Sequence, residues 1–312
     1  GLAESQDPTA FESIASRDAP ADPSLDLRAR KHPGPPSKEE RPITVAVRIR
    51  PFMEREALKG KFISSVEPLE GQGIVSAYEY FNLEGVAPGD MEEFVNQSQH
   101  FNLHQFAFDR VFGLDAGQAD VYEAVGRPVV RNVLEGFNGS ILAYGQTGTG
   151  KTHTMEGFVL GGEGGRSEES PAEVERRRGI IPRTVETIFE EIASRKELEA
   201  ASPRRETRFS VECSFMQLYN EQVEDLLTSK RKPLNIRENP QEGVFVEGLR
   251  KVPVSSSESL LQLVGKGFQR RVTASTALND VSSRSHAVCR IVVDQQVLFR
   301  NQEGRTSREP SG

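Results

Sequence analysis

The run Gly145-Gln-Thr-Gly-Thr-Gly-Lys151-Thr152 narrows the folds open to this chain more than any other feature. It fits G-x-x-x-x-G-K-[ST], a loop that wraps the phosphates of a nucleotide. Gly145, Gly148 and Gly150 lack a Cβ, so successive backbone N–H groups, including those of Gln146, Thr147 and Thr149, can turn inward onto oxyanions. Lys151 supplies a point charge for the outer phosphates and Thr152 a hydroxyl for Mg²⁺. Ser140-Ile-Leu-Ala-Tyr144 runs into the loop and predicts a short buried strand; Thr152 to Glu156 continues as the start of a helix, whose positive end also favours phosphate. Strand, glycine loop and helix is the order that this chemistry requires. The chain is expected to bind a nucleoside triphosphate.

The surroundings read as an α/β domain. Ile43, Val45, Val47 and Ile49 alternate toward one face and predict a strand closed by Pro51. Gln105 to Phe112 predicts another. Asp120 to Phe137 carries Val121, Ala124, Val125, Val129, Val133 and Leu134 at helical spacing. Residues 158–178 form a Gly-, Glu- and Arg-rich loop, whose length points to function or disorder. A helix restarts at Gly179-Ile-Ile-Pro-Arg183, with Pro182 suited to a first turn. Arg208 to Tyr219 predicts a long strand, with Phe209, Val211, Cys213 and Phe215 on one face. Asn220 to Leu227 predicts a short amphipathic helix, Leu234 to Val254 a set of hairpin-like strands. Ser255 and Glu258 form a capping box before a helix that runs toward Gln269. Ala287 to Val293 predicts a last strand, with Asp294 at its end. Strands and helices that alternate around a phosphate loop place helical layers on both sides of a sheet.

Residues 1–41 hold six of the 18 prolines and no long apolar run, the composition of a disordered arm. Residues 42–299 are expected to carry the ordered domain, and 300–312 a disordered tail, polar and without periodicity. The net charge of −7 gives no global attraction to nucleic acid. No secretory h-region is visible, and no apolar run reaches the length of a membrane helix. Cys213 and Cys289 lie far apart in apolar segments, which predicts buried reduced thiols rather than a disulfide framework or zinc site.

A triphosphatase also needs groups that sense the γ-phosphate and position a water. Asn279-Asp-Val-Ser282-Ser283-Arg284-Ser285-His286 is the one dense downstream candidate, with hydroxyls, a cation and an imidazole just before a strand. AYGQTGTGKTHTMEG together with NDVSSRSHAV resembles the motor domain of the kinesins, microtubule-dependent ATPases. VAVRIRPF at 45–52, FDRVF at 108–112, GIIPR at 179–183, SFMQLYNEQVEDLL at 214–227 and GVFVEGL at 243–249 follow in order, so the resemblance spans about residues 43–293. It implies a P-loop NTPase fold of kinesin type, a central mixed, mostly parallel sheet flanked by helices, with ATP and Mg²⁺ as ligands. Arg48, Pro51 and His153 resemble the positions that flank adenine, and Gly145 to Thr152 those that hold the phosphates. Asn279 to His286 resembles switch I. There Ser282 would orient the phosphate and the attacking water, Ser283 would join Thr152 at the metal, and Arg284 would pair with a glutamate of switch II.

The resemblance stops short of that glutamate. The family's DLAGSE run is absent from these residues; Val292-Val293-Asp294 is followed by Gln-Gln. The fold is therefore expected to be incomplete at its C-terminal side. Microtubule binding would be weakened or lost, keeping only the hairpin around Leu234 to Val254. Two readings stay open. One is an incomplete copy of an ATP-hydrolysing microtubule motor of the cytoplasmic cytoskeleton. The other is a short form that binds nucleotide or microtubules without productive ATPase or motility. Neither calls for nucleic acid or a membrane, and no heptad repeat announces an oligomeric state.

Overall fold

In the computed structural model, alternation of apolar residues along two long strands builds the main layer. The strands in chain order are β1 (Ala46–Arg48), β2 (Val66–Leu69), β3 (Ile74–Tyr80), β4 (Phe101–Ala107), β5 (Arg110–Phe112), β6 (Arg205–Tyr219) and β7 (Gln222–Asp225). They continue as β8 (Pro233–Leu234), β9 (Ile236–Asn239), β10 (Gly243–Val246), β11 (Val252–Val254), β12 (Ser285–Arg300) and β13 (Thr306–Arg308). The helices are α1 (Met91–Val95), α2 (Gln118–Val121), α3 (Arg127–Leu134), α4 (Lys151–Met155), α5 (Pro171–Arg177), α6 (Ile180–Ala200) and α7 (Ser257–Ala277). The structure describes residues 43–53, 56, 64–81, 86, 91–95, 97–157, 170–200, 205–229, 232–240, 243–277, 285–300 and 306–308. By internal contacts the chain divides into residues 1–43 and 44–312, and all of these elements belong to the second unit. The arm expected over residues 1–41 lies outside the described residues.

The largest sheet runs β13-β12-β6-β7-β8, with β11 also on β6. On β6, Val211, Cys213 and Phe215 point to one face and are buried. Against that face pack Val130 and Leu134 of α3, Val185, Ile188 and Ile192 of α6, and Leu260, Val264 and Phe268 of α7. Each such side chain removes apolar area worth about 1.5–3 kcal/mol from water. The rings of Phe215 and Phe268 meet edge to face at 4.9 Å. Cys213 and Cys289 are free thiols on the adjacent β6 and β12, and the Cys213 sulfur together with burial holds the Cys289 thiol above its usual range.

A second cluster, Phe112, Val121, Tyr122 and Ile180 with Ile141 and Met155, lies around the base of the phosphate loop. Beside it β1 and β5 pair in parallel, Val47 opposite Val111. The expected mostly parallel pairing is confined to these two strands; the other ladders among the described residues are antiparallel.

Several expectations change once partners are known. Residues 140–144 are not a strand. Leu142 is 88 % and Tyr144 96 % exposed, and no strand among the described residues pairs with them. Gln105 to Phe112 splits at Phe108 because the chain leaves β3 there: Phe108 N still donates to Gly73 O, whereas Asp109 N donates to Val45 O. Asn220 to Leu227 is not a helix but a hairpin. Asn220 (φ 48°) and Glu221 (φ 61°) form its two-residue turn, Tyr219 faces Gln222, and Val223 and Asp225 are buried at period two. Replacing Asn220 by valine, a branched residue in the left-handed region, is expected to cost about 1–2 kcal/mol. A lower urea midpoint at unchanged slope would register it.

The cap of α7 is Ser256, whose Oγ accepts from Ser259 N at 3.2 Å, rather than Ser255, and the helix runs on to Ala277. Residues 171–177, expected within a loop, form α5, capped by the Ser170 hydroxyl with Glu173 reaching back. Strand β12 extends well beyond Val293, so Asp294 lies within it, opposite Ser210.

Candidate functional site

The phosphate loop is built by backbone angles that only glycine takes without strain. Gly148 (φ 86°) and Gly150 (φ 93°) are left-handed, and a Cβ at either would meet nothing within 4 Å. Conformation rather than crowding therefore selects glycine, and the space beside those backbone atoms is open. Thr149 closes the turn, its N–H and its Oγ1 both donating to Gln146 O. Gln146, Thr147 and Gly148 are exposed, and Gly150 caps α4. Lys151 Nζ donates to Gly145 O at 2.7 Å and to Gln146 O at 2.9 Å, which places the ammonium against the loop it follows. Thr152 is exposed in the first turn of α4, free to present its hydroxyl to a cation.

Beside the loop lies a pocket lined by Arg48, Ile49, Arg50, Pro51, Leu114, Ala116, Thr149, Gly150, His153 and Thr154. Tertiary structure thus brings together Arg48, Pro51 and His153, the three residues that resemble positions flanking adenine, with two residues of the loop. Burial, then the charges of Arg48 and Arg177, push the His153 imidazole below its ordinary pKa, so at neutral pH it is uncharged. Burial also lowers the Arg48 pKa. Its Nη1 donates to Gln118 Oε1 at 2.7 Å and Thr154 Oγ1 at 3.0 Å, and its Nη2 to Ala116 O at 3.3 Å.

Behind the loop the chain turns on Glu156 and Gly157. Gly157 (φ 76°) forms a bridge with Arg178, and Gly179 N donates to Glu156 O, so the two ends of residues 158–178 are pinned together. A Cβ on Gly179 would sit 2.7 Å from backbone atoms of Met155, Glu156 and Gly157, too close for any other residue. Glu156 is only 6 % exposed and its Oε1 has no hydrogen-bond partner among the described residues. Burial pushes its carboxyl up to about 7, against the pull of Arg271 on α7. Arg271 in turn donates through Nη2 to the carbonyl and hydroxyl oxygens of Ser285 at the start of β12, at 3.2 and 3.4 Å.

Asn279, Ser282, Ser283 and Arg284, and with Ser283 the second expected metal ligand, lie outside the described residues. Ser285, buried, and His286, exposed, open β12. No cluster of three or more His, Cys, Asp or Glu side chains that could hold a metal occurs among the described residues. Sequence reasoning missed Gln118, Thr154 and Glu156. Gln118 had a visible signal: it stands three residues before Val121 and four before Tyr122, where the buried face of the helix calls for an apolar residue.

A family profile described as kinesin motor domain matches residues 48–309. The chain is 40 % identical over 199 residues to kinesin-like protein KIN-5C of Oryza sativa subsp. japonica, which covers 60 % of this chain and 18 % of that protein. It is 33 % identical over 266 residues to kinesin-related protein 7 of Dictyostelium discoideum, covering 85 % of this chain and 18 % of the relative. With KIN-8B of Arabidopsis thaliana the identity is 32 % over 269 residues, 86 % of this chain and 28 % of the relative. Among solved structures, one titled as the structure of a fast kinesin superposes with a TM-score of 0.60 at 29 % identity, over 85 % of this chain and 62 % of that one. The chain spans less than a third of the length of these curated relatives.

Proposed function

This chain belongs to the kinesin motor-domain family, and we propose that it binds ATP with Mg²⁺ as the nucleotide site of a microtubule-dependent ATPase. The observation that carries this reading is the shared pocket of Arg48, Pro51 and His153 with Thr149 and Gly150 of the phosphate loop. The residues fit the ligand. The left-handed backbone and open space at Gly148 and Gly150 suit phosphate oxygens, and Lys151 would exchange its two carbonyl contacts for phosphate. His153 shares the pocket lining with Pro51 and the Arg48 guanidinium, where a purine would rest against them. Thr152, and by family resemblance Ser283, would hold Mg²⁺, which neutralises charge on the phosphates when bound. Asn279, Ser282 and Arg284 would sense the γ-phosphate. The hairpin of β9 and β10 leaves Ile236 60 % and Val244 69 % exposed, the surface proposed to meet tubulin and to place the chain on the microtubule cytoskeleton.

One observation favours a second reading, a form that binds nucleotide or microtubules without productive hydrolysis. Leu142 and Tyr144, which lead directly into the loop, are exposed and unpaired among the described residues, so the loop has little rigid support on its N-terminal side. The first reading requires, and the second allows, that the 312-residue chain binds a fluorescent ATP analogue in the presence of Mg²⁺. They part when microtubules are added. Stimulated phosphate release supports the motor ATPase, co-sedimentation without it supports the second reading, absence of nucleotide binding removes the first, and absence of both nucleotide and microtubule binding removes both.

A further inference from the structure

We propose that Gln118 is a positioning residue that sets how the pocket wall receives the nucleoside half of the ligand. The inference rests on the nucleotide-binding reading and deepens it. Gln118 is 5 % exposed, at the first turn of α2, and a buried amide is costly unless its bonds are made. Its bonds go to three separate elements. Oε1 accepts from Arg48 Nη1 at 2.7 Å, whereas Nε2 donates to His153 O at 2.6 Å and to Arg177 O at 3.3 Å. Both amide donors and the acceptor are thus used. One side chain ties the end of β1 to the phosphate-loop helix and to the end of α5, and two of the three groups it holds belong to the residues proposed to flank the base.

The Arg48 guanidinium is held at three points, by Gln118, Thr154 and the Ala116 carbonyl. Of these Gln118 alone also grips the backbone of His153. Without it Arg48 keeps its charge but loses its bearing relative to the imidazole. The phosphate loop makes no hydrogen bond to Gln118: it is braced by Thr149 and Lys151 on the Gln146 and Gly145 carbonyls. The consequence is a split effect. Contacts to the nucleoside depend on Gln118, and contacts to the phosphates do not.

The test measures dissociation constants of the whole chain for ATP and for inorganic tripolyphosphate, both with Mg²⁺, with thermal unfolding as a check of folding. Gln118→Ala is expected to weaken ATP about tenfold, the value of one lost hydrogen bond to a charged group, and to change tripolyphosphate less than about twofold. Gln118→Glu keeps the size of the side chain and the contact to Arg48 but turns a carboxylate onto two carbonyl oxygens. It is expected to give the same split should the alanine variant fail to fold. Thr154→Val, which removes the second side-chain partner of Arg48, should move ATP in the same direction by a smaller factor. Equal loss on both ligands marks Gln118 as general support and overturns the proposal, as does no loss on either. Wild-type chain that binds tripolyphosphate as tightly as ATP also overturns it, leaving the phosphate-loop reading intact. Wild-type chain that binds neither overturns both.

Discussion

Lys151→Ala is expected to lower the affinity of the chain for MgATP by roughly a hundredfold, the loss of a strong charge-assisted bond to phosphate. The ammonium already lies against the loop, on the carbonyls of Gly145 and Gln146, and both contacts are with exposed or half-buried atoms. Removing it should therefore spare the core on β6, α6 and α7, of which this side chain is not a member. Calorimetric titration with ATP and a urea melt of the same variant separate the two effects. Unchanged stability with lost binding is the expected pair. Wild-type affinity in the variant would detach the phosphate loop from nucleotide binding. Lys151→Arg should recover only part, since a planar fork does not fit a site shaped for a point charge.

The second large effect is a dependence of stability on pH that Glu156 imposes. Burial raises its carboxyl from 4.5 to about 7, and Arg271 offsets only part of that. The sign follows from linkage. Between about pH 4.5 and pH 7 the folded chain holds a proton that the unfolded chain has released, so this contribution is fully present below about 4.5 and is lost as pH rises through about 7. The loss is on the order of 3 kcal/mol between the two limits. Glu156→Gln imitates the protonated carboxyl and should remove this component. Urea melts at pH 5, 6, 7 and 8 are expected to show wild type falling relative to the variant, with most of the divergence before pH 8. Parallel curves would mean that Glu156 ionises in the folded protein as it does in an open chain.

The features legible in the sequence shared one property: they depended on neighbours along the chain. Gly148 and Gly150 announce left-handed backbone by lacking a Cβ, and both adopt it. The spacing of Val185, Ile188 and Ile192 announces one face of α6, and that face is buried. Alternation through Val211, Cys213 and Phe215 likewise found β6. Order of motifs along the chain is enough for the family, and the three residues that resemble its adenine-flanking positions, Arg48, Pro51 and His153, line one pocket.

Period alone misled where two periods fit the same residues. Val223, Leu226 and Leu227 suit a helix, yet the left-handed pair Asn220-Glu221 folds the segment back on β6, and pairing then decides for strand. Apolar character also misled at residues 140–144, because a strand exists only when another supplies its hydrogen bonds.

By itself, then, the sequence determined the phosphate loop, the helices and strands with a single clear period, and membership of the kinesin motor family. Tertiary structure alone decided the hub of the pocket. Gln118 meets Arg48, His153 and Arg177 at 70, 35 and 59 residues' distance, and Arg48 meets Thr154 at 106. The same holds for Glu156, whose ionisation depends on burial among residues remote in sequence, Arg271 among them. Local rules follow from the geometry of one backbone and the period of its side chains. Long-range hydrogen bonds and burial arise only when separate elements dock, and there the chemistry of a side chain is set by what arrives beside it.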